Sequence, residues 1–256
     1  MTPADLLLLI AAASAAGVLN AIAGGGSFLT FPALVWTGVP PIAANATSAV
    51  AVSPGYLGSA LGFRAELAAL PRALLWREGL ICGFGGVTGA LLLLVTPAKV
   101  FSALVPWLLL FATVVFAVGP RLMSAWRARA GADPASVLSP AAWPRTLGLL
   151  VVAVYGGYFN GGLGILLMAL YTLTGETRIH TANALKNLNS LLLSLLSVAA
   201  FAWAGAVHWP QALVMMVAAT AGGFGGARIA RRLPAAWVRG IVIVTGVVMS
   251  VAFFLR

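Results

Sequence analysis

The chain has 256 residues, of which 61% are hydrophobic and only 8% are charged, and its mean hydropathy is +1.03. Soluble domains carry roughly a quarter charged residues, so this composition excludes a soluble protein and indicates an integral membrane protein. The net charge of +10 does not indicate nucleic acid as a partner, because the basic residues cluster in short connections, as they do in cytoplasmic loops.

Eight apolar stretches follow one another along the chain in two groups of four. They cover residues 5–38, 42–63, 73–96, 100–119, 146–175, 179–204, 210–230 and 236–255. A polar stretch from Arg121 to Arg145, with three prolines, separates the groups and predicts a linker. We therefore assign 1–119 and 146–256 to two membrane repeats and 120–145 to a cytoplasmic linker.

Each group begins with a long stretch that glycines interrupt, at Gly24-Gly25-Gly26-Ser27 and at Gly161-Gly162-Leu163-Gly164. A membrane span needs about 20 residues, and both stretches are longer than one helix requires. Exposed backbone at membrane depth is tolerated only where protein or a water-filled cavity covers it. A broken segment at the same place in each half therefore predicts a transport site.

The two groups match each other at a spacing of 137 residues. The matching pairs include Gly24 with Gly161, Gly25 with Gly162, Gly38 with Gly175, Gly86 with Gly223, Gly89 with Gly226 and Pro97 with Pro234. The order of the pairs is the same in both groups, which predicts an internal duplication. The glycine runs at 83–89 and 222–226 also predict close packing of helices, because small residues let backbones approach.

The distribution of charge distinguishes two topologies. If each stretch crosses the membrane once, eight basic residues fall on one side and seven on the other, which gives no orientation. If each glycine-broken stretch is a hairpin, each half crosses an odd number of times and the halves are inverted. Of the fifteen basic residues, all but Lys99 and Arg256 then share one side. The positive-inside rule makes that side cytoplasmic and places the N-terminus in the periplasm.

The predicted fold is therefore an all-α polytopic membrane protein with two inverted repeats, each a glycine-broken hairpin plus three transmembrane helices. In this arrangement the hairpin tips meet near the midplane. The returning arms begin with unpaired N–H groups at the positive end of a helix dipole, which predicts an anion site. Its backbone donors are expected at Gly25, Gly26, Ser27, Gly162 and Gly164.

The segment after each hairpin is the most polar part of its half and supplies candidate side chains. These are Asn45, Thr47 and Ser48 in the first half, and Asn183, Lys186, Asn187 and Ser190 in the second. The second set recurs every three or four residues and shares one helix face. An intramembrane cation is a functional-site candidate, and an anion would be a natural partner for Lys186. Two alternatives stay open: the polar residues only join helices, or Lys186 extends to the membrane interface.

Other kinds of site are not expected. The five acidic residues lie at segment ends or in the linker, so no buried carboxylate relay is predicted: Asp5, Glu66, Glu78, Asp133 and Glu176. The glycines before Ser27 do not complete a G-x-S-x-G nucleophile turn, so we predict no catalytic residue and no enzyme. We also predict no metal site and no cofactor, and the single Cys82 cannot form a disulfide within the chain.

Several motifs are shared with a known family. They are Gly24-Gly25-Gly26, Phe31-Pro32-Ala33-Leu34, Gly38-Val39-Pro40 and Ala43 through Ser48, with Thr181-Ala182-Asn183 and Gly226-Ala227-Arg228 in the second half. These motifs resemble those of the TauE/SafE sulfite-exporter family, also called the 4-toluene sulfonate uptake permeases. The resemblance covers essentially the whole chain and implies a carrier of sulfite, organosulfonates or related small anions in the bacterial inner membrane.

The leading hypothesis is a secondary transporter or facilitator of small anions that works by alternating access. The alternative is a non-transporting membrane assembly or partner-binding protein. The expected partners are a small anion and the lipid bilayer, and the question of a homo-oligomer stays open.

Overall fold

The computed structural model describes residues 1–22, 25–129, 143–176, 178–229 and 235–255. Gly24, one of the predicted break residues, lies outside this part of the chain. The described residues form eleven α-helices and no strand, which confirms the predicted all-α membrane protein. The helices are α1 (Pro3–Ile22), α2 (Ser27–Trp36), α3 (Pro41–Gly62), α4 (Arg64–Ala68), α5 (Arg72–Val95), α6 (Ala98–Arg129), α7 (Trp143–Tyr158), α8 (Leu163–Leu173), α9 (Ile179–Trp203), α10 (Trp209–Ile229) and α11 (Ala235–Phe254).

Four of these helices are long and apolar enough to cross a membrane within the described residues. The spans are Pro3–Asn20, Arg72–Val95, Ala98–Gly119 and His180–Trp203. By contrast, α2 has 10 residues and α8 has 11. At 1.5 Å per residue, each of these short helices covers roughly half of the hydrocarbon core. Their length fits the predicted returning arms of the hairpins.

Prolines and glycines explain where the helices begin and end. Proline lacks an N–H and has a helical φ, so it is tolerated at the start of a helix. Pro41 is the first residue of α3, and Pro71 directly precedes α5. Gly38 and Gly175 follow α2 and α8 with φ of +86° and +90°. Glycine adopts this left-handed conformation without steric cost, so both short helices can end in the same type of turn.

Helix α6 differs from the sequence-based expectation. It continues to Arg129, although residues 120–145 were predicted to be a linker, and α7 already begins at Trp143. The stretch after Pro120 contains Ala, Arg, Leu and Met and no glycine or proline, and these residues favour helix. The boundaries of the two repeats stay a prediction.

Contacts along α5 give the relative direction of three helices. Near its start, Glu78 contacts Arg145 of α7 and Asn189 of α9. Near its end, a Cβ on Gly89 would meet the backbone of Tyr158, and Gly86 accepts a bond from Ser197. Helices α5, α7 and α9 therefore run in the same direction. We call the end where they begin the basic end, because exposed Arg64, Arg72 and Arg178 lie there.

The first hairpin lies at the other end. The last turn of α3 packs near the first turn of α9, where the rings of Phe63 and His180 are 6.4 Å apart. Helix α3 therefore ends at the basic end and begins at the opposite end. Helix α2 leads into that start, and the cavity shared by Leu8 of α1 and Trp36 of α2 places the beginning of α1 there too. Whether the halves are inverted repeats stays a prediction, which these directions support.

Glycines allow helices from different halves to pack closely. Helix α1 packs on α10, where a Cβ at Gly222 would meet the backbone of Ser14. Helix α5 packs on α7, where a Cβ at Gly157 would meet the backbone of Gly86. Both pairs include a glycine run identified in the sequence. The predicted packing role of these runs is confirmed.

Candidate functional site

The first hairpin tip is closed by the last turn of α1. Gly26 donates its N–H to Oδ1 of Asn20 over 2.8 Å, and a Cβ at Gly26 would lie 2.8 Å from the carbonyl oxygen of Ala16. One turn further, the hydroxyls of Thr30 and Ser48 are 2.6 Å apart and join α2 to α3. The predicted site residues Gly26 and Ser48 thus lie in and beside the same tip.

The second hairpin tip is closed by α3. Gly162 caps α8 with φ of +80°, and the hydroxyl of Tyr155 donates to the carbonyl of Gly161 over 2.9 Å. Asn45 reaches this tip from the first half of the chain. Its Nδ2 donates to the carbonyl of Tyr158 over 3.1 Å, and its Oδ1 accepts from the N–H of Asn160 over 3.4 Å.

The two tips are neighbours. The rings of Phe31 in α2 and Phe159 in the second tip meet edge to face, with centroids 5.5 Å apart. A Cβ at Gly162 would lie 3.6 Å from the ring of Phe28, in the first turn of α2. The structure therefore brings the starts of α2 and α8 together, as expected from the two glycine breaks.

Most of the predicted backbone donors at these starts have no acceptor, whereas the next N–H groups are already bonded. Phe28 and Ile165 donate to the carbonyls of Gly25 and Gly162, over 3.1 and 3.0 Å. In the described part of the chain, the N–H groups of Ser27 and Gly164 have no acceptor. The N–H groups of Gly25 and Gly162 likewise have none there, so among the predicted donors only Gly26 is paired, with Asn20. These donors lie at the positive ends of the α2 and α8 dipoles.

A small set of buried polar atoms lacks partners. Within the described residues these side-chain atoms are Oδ1 and Nδ2 of Asn160, Oδ1 of Asn189 and Oγ of Ser190. A buried polar group without a hydrogen bond costs about 1–3 kcal/mol, so native proteins rarely keep one without a reason. Asn160 carries both an unsatisfied donor and an unsatisfied acceptor. Its position directly before Gly161 is the signal by which the sequence could have added it to the site.

Lys186 is buried and has no counter-charge. Its side chain is 6% exposed, and no hydrogen bond or ion pair to it occurs among the described residues. Asn187, the next residue, is 5% exposed and likewise makes no bond there. A desolvated ammonium costs several kcal/mol unless a negative group is near. This burial disfavours the alternative in which Lys186 extends to the membrane interface.

Other predicted side chains take part in contacts between helices. Thr47 accepts a bond of 3.0 Å from the N–H of His208 and so joins α3 to the start of α10. Asn183 is half-buried and has a partner. No bond within the described residues links Lys186, Asn187 or Ser190 to a hairpin tip. The structure thus joins Asn45 to the second tip directly and shows no bond from the polar face of α9 to either tip within the described residues.

One expectation about charge is wrong. Glu78 is 2% exposed, although all acidic residues were predicted at segment ends or in the linker. It lies two turns inside α5, where its Oε1 accepts from Nη2 of Arg145 over 2.7 Å. Its Oε2 accepts from Tyr171 and Asn189, each over 2.9 Å. The carboxylate therefore joins α5 to α7, α8 and α9.

Comparisons with known proteins place the chain among membrane transporters. The family model described as "Sulfite exporter TauE/SafE" matches residues 9–253. A Haemophilus influenzae protein named "Probable membrane transporter protein" is 30% identical over 251 residues, which cover 96% of this chain and 93% of that protein. No solved structure matches the chain.

Two further relatives carry similar names. "Probable membrane transporter protein ORF9" of Sinorhizobium sp is 26% identical over 252 residues, which cover 96% of this chain and 91% of that protein. "Probable membrane transporter protein YfcA" of Escherichia coli K12 is 28% identical over 263 residues, which cover 98% of this chain and 90% of that protein. These names give the class of protein but no substrate.

Proposed function

We propose that this chain, which belongs to the sulfite exporter TauE/SafE family, is a secondary carrier of sulfite or an organosulfonate. Family membership and the long apolar helices support a transporter in a membrane. The bacterial inner membrane and the class of anion are parts of the proposal.

The observation that carries the proposal is the buried charge of Lys186 without a counter-charge. Ser190, one turn further along the same face of α9, holds a buried hydroxyl without a partner among the described residues. A small oxyanion would neutralise the ammonium and accept a hydrogen bond from the Ser190 hydroxyl, and the Asn160 amide would bind the anion at the hairpin tips, further along its path. The N–H groups of Ser27 and Gly164 would add donors at two helix starts. These residues, with Asn45 beside the second tip, form the proposed site.

The direction of the helices supports a mechanism of alternating access. The second hairpin starts and finishes at the basic end, and the first hairpin starts and finishes at the opposite end. In inverted-repeat carriers, one repeat moves against the other around a site near the midplane. We place the basic end in the cytoplasm, because positive residues are retained there, and the N-terminus in the periplasm.

Uptake of labelled sulfite or an organosulfonate into proteoliposomes tests the proposal. Lys186→Ala should reduce saturable uptake at least tenfold, because the anion loses its only buried cation in the proposed site. The matched control is Lys99→Ala, which removes an exposed lysine at the opposite end and should leave uptake unchanged. Equal uptake by Lys186→Ala and the unmodified protein would remove Lys186 from the site.

A thermal-shift screen of the purified protein separates transport of anions from the alternative function. A ligand at 100 times its Kd stabilises the folded state by about 2.7 kcal/mol. We expect sulfite, sulfonates or a related anion to raise the unfolding temperature, and Lys186→Ala to abolish the rise. A non-transporting assembly or partner-binding protein would show no rise with any of these anions.

A further inference from the structure

A cavity of about 450 Å³ lies at the end of the molecule opposite the basic end. It is bounded by the turn from α2 to α3, by the first two turns of α6 and by Phe253 in the last turn of α11. Gly38, Pro40 and Ala103 belong to its lining and are exposed. The cavity is therefore open to the outside at the end where the first hairpin starts and finishes.

A succession of aromatic rings connects this cavity with the second hairpin tip. The ring of Phe253 stacks on that of Phe31 in α2, with centroids 5.9 Å apart and planes inclined by 18°. Phe31 in turn meets Phe159 edge to face, with centroids 5.5 Å apart. Phe159 directly precedes Asn160, whose side-chain amide has no partner within the described residues. Three rings thus lead from the cavity to the proposed site.

The stacked pair of Phe253 and Phe31 closes this route in the present structure. Phe31 is 1% exposed, although Phe253 lines an open cavity. Ser27 lies one turn before Phe31 on the same face of α2 and is 6% exposed. The cavity therefore stops at the two rings, and the start of α2 lies on their inner side.

Of the two rings, Phe253 has more freedom to move. Phe31 contacts aromatic rings on two sides, whereas Phe253 has the free volume of the cavity beside it and lies at the end of its helix. An aromatic pair is worth a factor of about 2–10 in an equilibrium beyond the area that it buries. Separation of the rings is therefore accessible during a transport cycle.

We propose that this cavity is the outer entrance for the transported anion and that Phe253 is its gate. When the ring of Phe253 leaves Phe31, the inner side of α2 becomes accessible from the cavity. Pro40 and Pro41 also line the cavity and mark the start of α3, where the positive end of the helix dipole favours entry of an anion. This inference rests on the proposed function, since the gate controls access to the proposed site.

The rate at which an anionic thiol reagent reaches the first hairpin tip tests the gate without requiring transport. Ser27→Cys in a Cys82→Ala background places a thiol there, and membrane-impermeant 2-sulfonatoethyl methanethiosulfonate is added to intact cells. Phe253→Ala should accelerate the modification at least about 2- to 10-fold, because the stacking contact is lost. The matched control Phe254→Ala removes the neighbouring ring, which packs on Trp107 of α6 with centroids 5.0 Å apart, and should leave the rate unchanged.

A second variant, Phe253→Trp, keeps an aromatic ring on Phe31 and enlarges it. It should slow the modification of Ser27→Cys. Equal rates with Phe, Ala and Trp at position 253 would overturn the proposal, and so would modification that occurs only after permeabilisation. Faster modification by Phe253→Ala in a protein that transports neither sulfite nor an organosulfonate would support the gate and reject the proposed substrate.

Discussion

At the scale of single residues, the buried polar atoms without partners are the strongest sign of a ligand. Glu78 shows how the same chain satisfies a buried polar group when no ligand is involved, since Arg145, Tyr171 and Asn189 all bond to it. Asn160 has no such partners for its side chain within the described residues. We attribute the difference to function, because both polar atoms of the Asn160 side chain lack partners, whereas Asn189 beside Glu78 lacks one only for its Oδ1.

Asn160→Leu should separate binding from stability. The substitution keeps the branched skeleton of the side chain and removes its polar atoms. We expect anion uptake to fall at least tenfold, while the free energy of unfolding is unchanged or increases by about 1–3 kcal/mol, the cost of an unsatisfied buried polar group. Uptake in proteoliposomes and thermal unfolding of the same preparation measure the two effects. Lower stability with normal uptake would show that the amide has a structural role instead.

Glu78→Gln should have the opposite effect, a large loss of stability. The substitution leaves the guanidinium of Arg145 buried without a counter-charge, which costs about 3–5 kcal/mol. The double variant Glu78→Met and Arg145→Met should recover most of the lost stability, because it buries no charge. Thermal unfolding of Glu78→Gln and of the double variant tests this account. Equal stability of the two would contradict it.

At the scale of elements, the hairpin tips depend on glycines in particular conformations. Gly162 has φ of +80°, and a Cβ there would lie 2.9 Å from Cβ of Ala112 in α6. The tip can therefore approach both α6 and Phe28 of α2 only with glycine at this position. Gly26 has an ordinary helical φ of −59°, and its requirement is close contact with the last turn of α1.

Gly162→Ala should destabilise the protein and impair uptake. A left-handed φ costs a non-glycine residue about 1–2 kcal/mol, and the contact with Ala112 adds to that cost. Gly58→Ala is the matched control, since a Cβ at Gly58 in α3 meets nothing within 4 Å. The control should stabilise helix α3 by about 0.5–1 kcal/mol. Thermal unfolding and uptake are measured for both variants. Equal stability and equal uptake of the two would refute the special role of Gly162.

Much of the element structure could be predicted because its signals are local. Prolines at helix starts and glycines at breaks mark the boundaries of helices such as α3 and α8 within a few residues. The end of α6 at Arg129 could not be predicted, because charged residues that favour helix also occur in linkers. The ion pair of Glu78 could not be predicted, since Arg145 lies 67 positions away and only the packing of α5 on α7 brings the two together.

At the scale of the whole molecule, each hairpin packs mainly on a helix from the other half. Helix α1 lies on α10, and α7 lies on α5. Asn45 in the first half also bonds to the tip of the second hairpin. The proposed site therefore belongs to neither half alone, and a movement of one half against the other would change access to it. The charge pattern predicted the face from which each hairpin enters. The packing of each hairpin on a helix of the other half could not be predicted, because it depends on contacts between distant parts of the chain.

The central claim is that the two hairpins enter the membrane from opposite faces, and cysteine labelling in intact cells tests it most directly. In a Cys82→Ala background, Thr2→Cys precedes α1 and Arg178→Cys follows α8, both at exposed positions. With a membrane-impermeant maleimide, the account predicts that Thr2→Cys is labelled in intact cells and Arg178→Cys only after permeabilisation. Labelling of both positions from the same face would contradict it.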